Sequence, residues 1–468
     1  MEVKSLTREK KDIWKNYSDS ERTDVFDLGE RYRKFLSVAK TERESINVFI
    51  KEAEAKGYKN LEQVIKNKET LKAGDKVYVN NKGKSLAIFN IGTDDLEDGL
   101  RIIGSHVDAP RIDLKQNPIY EDNGLVLFDT HYYGGVKKYQ WVTIPLALHG
   151  VIVKKDGTKV EVAIGEDKND PVLGISDLLI HLSADQLTKT AAKVIEGEDL
   201  NVLAGSFPTL EESEEKEKVK LNILTILNEK YGISEEDFVS AELEIVPAGE
   251  ARDLGLDRSM IMGYGHDDRI CAYTSFEAAL EVENPIKTIA GLFVDKEEIG
   301  SVGATGMHSR FFENAIGEIM DRMGEYSELK VRRALQNSKM LSADVTVAYD
   351  PNYPSVVEKN NCAYFGQGVV FSKYTGARGK SGCNDANAEY VAYLRNLMDT
   401  NGVHWQTSEL GKVDQGGGGT IAYILAQYNM EVIDCGVALQ NMHAPWEVAS
   451  KIDIYETKKC YKVFFEQA

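Results

Sequence analysis

The 468-residue chain carries 56 basic and 75 acidic side chains, and its net charge of −19 opposes long-range attraction to nucleic acid or anionic membranes. That length supports two domains with ample core, and no uninterrupted run of about 18 apolar residues marks a membrane span. Five cysteines without a Cys-x-x-Cys pair offer neither a disulfide framework nor a thiolate zinc site, so buried thiols in a reducing, cytoplasmic compartment are expected.

The start, Met1-Glu2-Val3-Lys4-Ser5, lacks an apolar signal region. Charged helical periodicity fills residues 22–70, with helices expected from Asp24 to Ala39 and from Glu44 to Ala55. Strands follow from Ser85 to Ile91 and from Arg101 to His106. From about Gln116 to Pro247 short β-like runs alternate with turns: Val142 to Ile144, Val151 to Lys154 and Lys159 to Ile164. Within that block the charge-dense run from Glu211 to Lys220 reads as a solvated loop or helix start. The block is expected to be an inserted domain, residues 116–255, that interrupts a catalytic domain made of 1–115 and 256–468. Beyond Met260 strands and helices alternate again, with helices expected at Ala272 to Val282, Ala315 to Gln336, Asn384 to Met398 and Thr420 to Tyr428. Such alternation predicts an α/β fold with a mostly parallel sheet flanked by helices.

Ligands in such sheets gather beyond the carboxyl ends of strands, and several metal-binding residue types sit there. Glu297 and Glu298 follow the apolar run that ends at Val294. Adjacent acids repel, so keeping both near one pocket requires protons or cations to offset the charge. His106 and Asp108 follow the apolar stretch Leu100 to Ile103; two apart on a strand, they face the same way, and the acid can hold the imidazole tautomer for a metal. The doublet Asp267-Asp268 precedes a helix, where an Asp can cap or bridge metals. Asp344 and His443 each follow or interrupt further apolar runs. Singly, such residues are most often caps or structural side chains.

Taken in order, His, Asp, Glu-Glu, Asp and His resemble the ligand series of co-catalytic zinc exopeptidases. The words Gly-Ser-His-Val-Asp-Ala-Pro at 104–110, Glu-Glu-Ile-Gly-Ser at 297–301 and Ser-Ala-Asp-Val at 342–345 resemble the aspartyl aminopeptidase and vacuolar aminopeptidase I family. The match runs from roughly residue 20 to the C-terminus. It implies a zinc exopeptidase-like fold and a metal-dependent aminopeptidase that removes N-terminal residues from peptides. His106, Asp267, Glu298, Asp344 and His443 match the five metal ligands, with Asp267 at the bridging position between two divalent ions, zinc by default and cobalt or manganese as alternatives. Glu297 matches the general base and Asp108 the acid behind the first histidine. His181, in Ile175-Ser176-Asp177-Leu178-Leu179-Ile180-His181-Leu182, matches a histidine lent to a neighbouring subunit. The inserted domain is then expected to form dimers that build a tetrahedral dodecamer.

Two features bear on the substrate. Family members selective for acidic residues carry a histidine three positions after the Asp344 equivalent, where this chain has Val347, and the segment Val413-Asp414-Gln415-Gly416-Gly417-Gly418 also departs from the family word. A neutral or basic N-terminal residue therefore fits at least as well, although Lys373, Arg378, Lys380 and Lys412 offer cations. The glycine run 416–419 lacks the Lys-Ser or Lys-Thr of a P-loop, and the resemblance assigns it to the substrate cleft. Rival readings are a carboxypeptidase or deacylase on the same scaffold, and a metal-stabilised assembly protein with vestigial chemistry.

Overall fold

A computed structural model describes residues 6, 12–210 and 215–468, so Met1–Ser5 and the first residues of the charge-dense run at 211 lie outside the described residues. The chain divides into two compact units, one comprising residues 1–108, 252–442 and 447–468, the other residues 109–251 and 443–446. Among the described residues no helix is long and apolar enough to cross a membrane.

The first unit is built on a nine-stranded sheet. Its order is Lys59–Asn60, Lys76–Asn81, Ser85–Asn90, Ile289–Val294, Arg101–His106, Lys339–Ser342, Glu431–Gly436, Val369–Ser372 and Trp405–Thr407. The four central strands, from Ile289–Val294 to Glu431–Gly436, run parallel, and antiparallel neighbours flank them. Ile289–Val294 and Arg101–His106 are buried along their whole length, which is why they read as continuous rather than alternating apolar runs. Register aligns Val294 with His106 and Ser342 with Gly104, so the turns after three parallel strands open at one end of the sheet. A second, five-stranded sheet places Glu447 opposite Gly263 in the antiparallel pair of Met260–Gly263 and Glu447–Ser450.

Helices form where caps and periodicity coincide. Asp19–Val38 and Glu42–Ala55 both start with a capping box, Ser18 with Glu21 and Thr41 with Glu44, in which each side chain satisfies an otherwise orphaned backbone N–H. The helix expected from Ala315 to Gln336 is two helices, Phe311–Met323 and Glu328–Asn337, because Gly324 takes a left-handed conformation and Ser327 caps a fresh start. The expected helices from Asn384 and Thr420 shorten to Ala388–Thr400 and Ala422–Ala426.

The second unit is a six-stranded antiparallel sheet, ordered Lys159–Ile164, Leu146–Val153, Ala241–Pro247, Arg111–Asp122, Leu125–Tyr133 and Val202–Gly205. Val142 to Ile144, expected as a strand, is a bend; the strand begins only after Pro145. Charged residues after 214 lead into the helix Lys218–Tyr231.

Candidate metal centre

Three turns at one end of the nine-stranded sheet bring acids toward His106. That histidine ends its strand, is buried, and has Nδ1 2.9 Å from the Asp108 carbonyl oxygen, so Nδ1–H donates there and Nε2 carries the lone pair. Nε2 lies 3.2 Å from Asp267 Oδ1 and 3.8 Å from Glu297 Oε2. A lone pair facing carboxylate oxygens at this range needs a shared proton or a cation between them.

The turn carrying Glu297 and Glu298 is held from two sides. Asp108, itself buried, accepts the Glu297 N–H on Oδ1 at 3.1 Å and the Glu298 N–H on Oδ2 at 3.2 Å. Asp295 accepts from Thr305 Oγ1 at 2.6 Å and from Lys296 Nζ at 2.8 Å. Lys296 and Ser301 take left-handed backbone angles, φ 69° and 60°, and the Ser301 N–H donates to the Lys296 carbonyl at 2.7 Å, which closes a tight loop.

The Asp267-Asp268 segment has non-helical backbone angles at the front of a helix otherwise spanning His266–Glu281. Asp268 neither caps that helix nor holds Arg269. Its Oδ2 reaches the His106 N–H at 3.4 Å, and the Arg269 guanidinium is taken by the carbonyls of Gly265, Tyr264 and Ala39. The reason is the turn itself, which directs Asp268 back toward the strand end rather than along the helix axis. Gly265 is required here: at φ 75° a Cβ would fall 1.5 Å from the Arg269 guanidinium. Two further contacts pin the segment. Glu447 Oε2 accepts the Asp267 N–H at 3.0 Å, and Tyr32 Oη lies 2.8 Å from Nδ1 of His266, whose pKa burial pushes down to about 3. Sequence reasoning passed over Glu447, although a lone acid opening the buried strand Glu447–Ser450 is a signal.

The charge balance of the cluster fits a divalent cation. Ligand atoms of His106, Glu297 and Glu298 lie within 4.8 Å of one another, and so do those of His106, Asp268 and Asp344. Burial and the charges of Asp268, Asp267 and Glu297 push Asp344 well above the carboxylate range, against the opposing pull of His106. Burial does the same to Asp268, whose Oδ1 is buried without a hydrogen-bond partner. Burial alone would lower the pKa of His106, but hydrogen bonds to Asp108 and Asp267 and the charge of Glu297 carry it well above its usual value. So many buried acids around one imidazole oxygen-and-nitrogen donor set match the preference of zinc and similar ions for mixed imidazole and carboxylate ligands.

The remaining candidates come from other segments of the sequence. His443 groups with the second unit; its φ is 65° and its Nδ1 donates to the Gly135 carbonyl at 2.9 Å, which leaves the lone pair on Nε2. His181 sits exposed in the 3₁₀ turn Ile180–Leu182 of the second unit, not on an amphipathic helix. Of the four basic residues, Arg378, Lys380 and Lys412 line a pocket of about 300 Å³ together with Tyr374, Thr375 and Glu409, and Asp385 pairs with both Lys373 and Lys380. The glycine run packs against this pocket's own loops: a Cβ at Gly417 would meet the Ala377 backbone at 2.4 Å, and the Gly418 N–H donates to the Thr375 carbonyl at 2.9 Å.

Known proteins resemble this chain along nearly its whole length. The family model of aminopeptidase I zinc metalloproteases, M18, matches residues 35–465. A probable M18 family aminopeptidase 1 of Clostridium acetobutylicum is 65% identical over 459 residues, covering 98% of each chain. The crystal structure of aminopeptidase I from that organism superposes with a TM-score of 0.92 at 63% identity, over 98% of this chain and 99% of the other. An M18 aminopeptidase structure from Thermotoga maritima gives a TM-score of 0.93 at 45% identity, over 99% and 100%.

Proposed function

The chain belongs to the aminopeptidase I zinc metalloprotease (M18) family and is a metal-dependent aminopeptidase, and from that premise we propose how its side chains divide the work. His106 and Asp344 would hold one divalent ion, Glu298 and His443 a second, and Asp267 would serve both, with zinc as the expected occupant. When bound, the ions act as Lewis acids toward the scissile carbonyl and the attacking water. The observation that carries this reading is the packing of His106, Asp267, Glu297, Glu298 and Asp344 around the ends of parallel strands.

Glu297 is the general base and acid. With its side chain 15% exposed, it is reachable by water and by peptide. It takes a proton as water oxygen bonds to the carbonyl carbon and returns that proton to the amine nitrogen as the C–N bond breaks. Asp108 orients both partners, accepting the Glu297 and Glu298 amides and backing the His106 ring. The expected test is Glu297→Gln: metal content stays, while kcat falls about 100- to 10,000-fold. Unchanged turnover would remove Glu297 from this role.

The second unit, residues 109–251, serves assembly, and His181 contributes to the active site of a neighbouring subunit. Exposed Leu178, Leu179, Ile180 and Leu182 around His181 support a surface made to be covered. All five cysteines are free thiols, which supports a reducing, cytoplasmic location. With the departures at Val347 and at 413–418, a neutral or basic N-terminal residue fits at least as well as an acidic one. A panel of aminoacyl and N-acyl fluorogenic amides, run with zinc, cobalt and manganese, tests both the preference and the reaction class; no observation favours a carboxypeptidase, a deacylase or a vestigial site.

A further inference from the structure

Two acidic turns of the metal centre have backbone amides held by a buried carboxylate. Glu297 and Glu298 give their amides to the Asp108 carboxylate; Asp267 gives its amide to Glu447 Oε2 at 3.0 Å. Glu447 is 1% exposed and lies in a strand whose other residues, Val448, Ala449 and Ser450, are buried too. Burying a carboxylate in such a strand is costly unless its oxygens are engaged. Opposite it in the sheet stands Gly263, and the chain from Gly263 reaches Asp267 within four residues. The strand pairing therefore fixes how far Glu447 stands from the Asp267 amide.

We propose that Glu447 is a positioning residue for the metal centre: by holding the Asp267 backbone amide it sets the direction of the Asp267 carboxylate, whose Oδ1 lies 3.2 Å from His106 Nε2. Asp267 directs its side chain from a backbone in non-helical geometry, at φ −81° and ψ 109°, so the helix ladder does not hold that amide. Without Glu447 the segment 265–268 keeps the Arg269 and Tyr32 contacts but loses the one that acts on the ligand residue itself.

This proposal rests on the assignment of Asp267 as a metal ligand, and cobalt separates the two. Full-length protein is stripped, loaded with Co²⁺, and followed by its visible absorption band and by chelator competition. Wild-type protein that gives no band defeats the metal assignment itself. Given a wild-type band, Glu447→Met is expected to bind Co²⁺ about 10- to 100-fold more weakly with an altered band. Glu447→Asp keeps the charge but shortens the reach and is expected to shift the band and weaken binding, whereas Glu447→Gln keeps an oxygen at the same reach and retains the band. Wild-type band and affinity in Glu447→Met overturn the proposal; should that variant not fold, the same result in Glu447→Asp does so. A band lost in Glu447→Gln but kept in Glu447→Asp also overturns it, since charge rather than reach would then matter.

Discussion

The carboxylate of Asp108 accepts two consecutive amides while its carbonyl receives the His106 Nδ1–H. One residue thus sets the orientation of an imidazole, through its backbone, and of the turn that carries the base, through its side chain. Replacing Asp108 with Ala removes both acceptors and the anion behind the ring, and such supporting groups are worth about 10- to 100-fold in metal affinity or activity. Asp108→Ala is therefore expected to lower kcat/KM by that factor with the fold intact by circular dichroism; a loss below threefold would deny the role. His106 and Asp108 were legible as a pair because they stand two residues apart at a strand end, although the strand stops at His106 and the Asp108 carbonyl, nearer than its carboxylate, takes the Nδ1–H. Asp268 was not, because its direction follows from the backbone of a turn.

At the scale of elements, the C-terminal helix Lys451–Gln467 shows what buried acids do. Asp453 accepts the Gly366 and Gly368 amides at 2.8 and 2.7 Å, and Glu456 accepts from Tyr17 Oη and, at 2.8 Å, from the His404 amide. Burial pushes both carboxyls up to about 7. Because the folded pKa lies above the unfolded one, the native state binds more protons between the two values, and stability falls as pH rises through that window. Thermal midpoints are expected to decline between about pH 4 and about pH 7 from this source. The double variant Asp453→Asn, Glu456→Gln should flatten the decline; an unchanged slope would show that these acids are not its origin. The same scale explains the split at Gly324: apolar periodicity continues across a helix break, whereas a left-handed glycine ends the hydrogen-bond ladder.

For the whole molecule, the crowding of acids around His106 means that divalent ions bound only by the native state add to its stability. That gain is RT ln(1 + [L]/Kd), about 2.7 kcal/mol at a hundredfold excess over Kd. Chelator-treated protein should therefore melt below the zinc-replete form, with the midpoint rising as zinc is returned; equal midpoints would contradict a cation bound among these acids. Assembly makes a separate prediction. Ile180→Asp places a charge among exposed apolar neighbours and is expected to shift sedimentation toward smaller species, with specific activity falling alongside if His181 acts across subunits. Full specific activity in a verified monomer would end that reading.

Residue types and their order were readable from the chain alone: an acid or histidine just past a buried apolar strand marks the active end of a parallel sheet, since strand direction and the turn that follows are local properties. The α/β alternation was readable for the same reason. Glu447 beneath Asp267, Asp268 turned toward the His106 amide and the pairing of Asp453 with the Gly366–Gly368 loop were not. Each joins segments more than 80 residues apart through only one or two hydrogen bonds, and such bonds leave no periodicity behind; only the packed sheets decide which distant oxygen meets which amide.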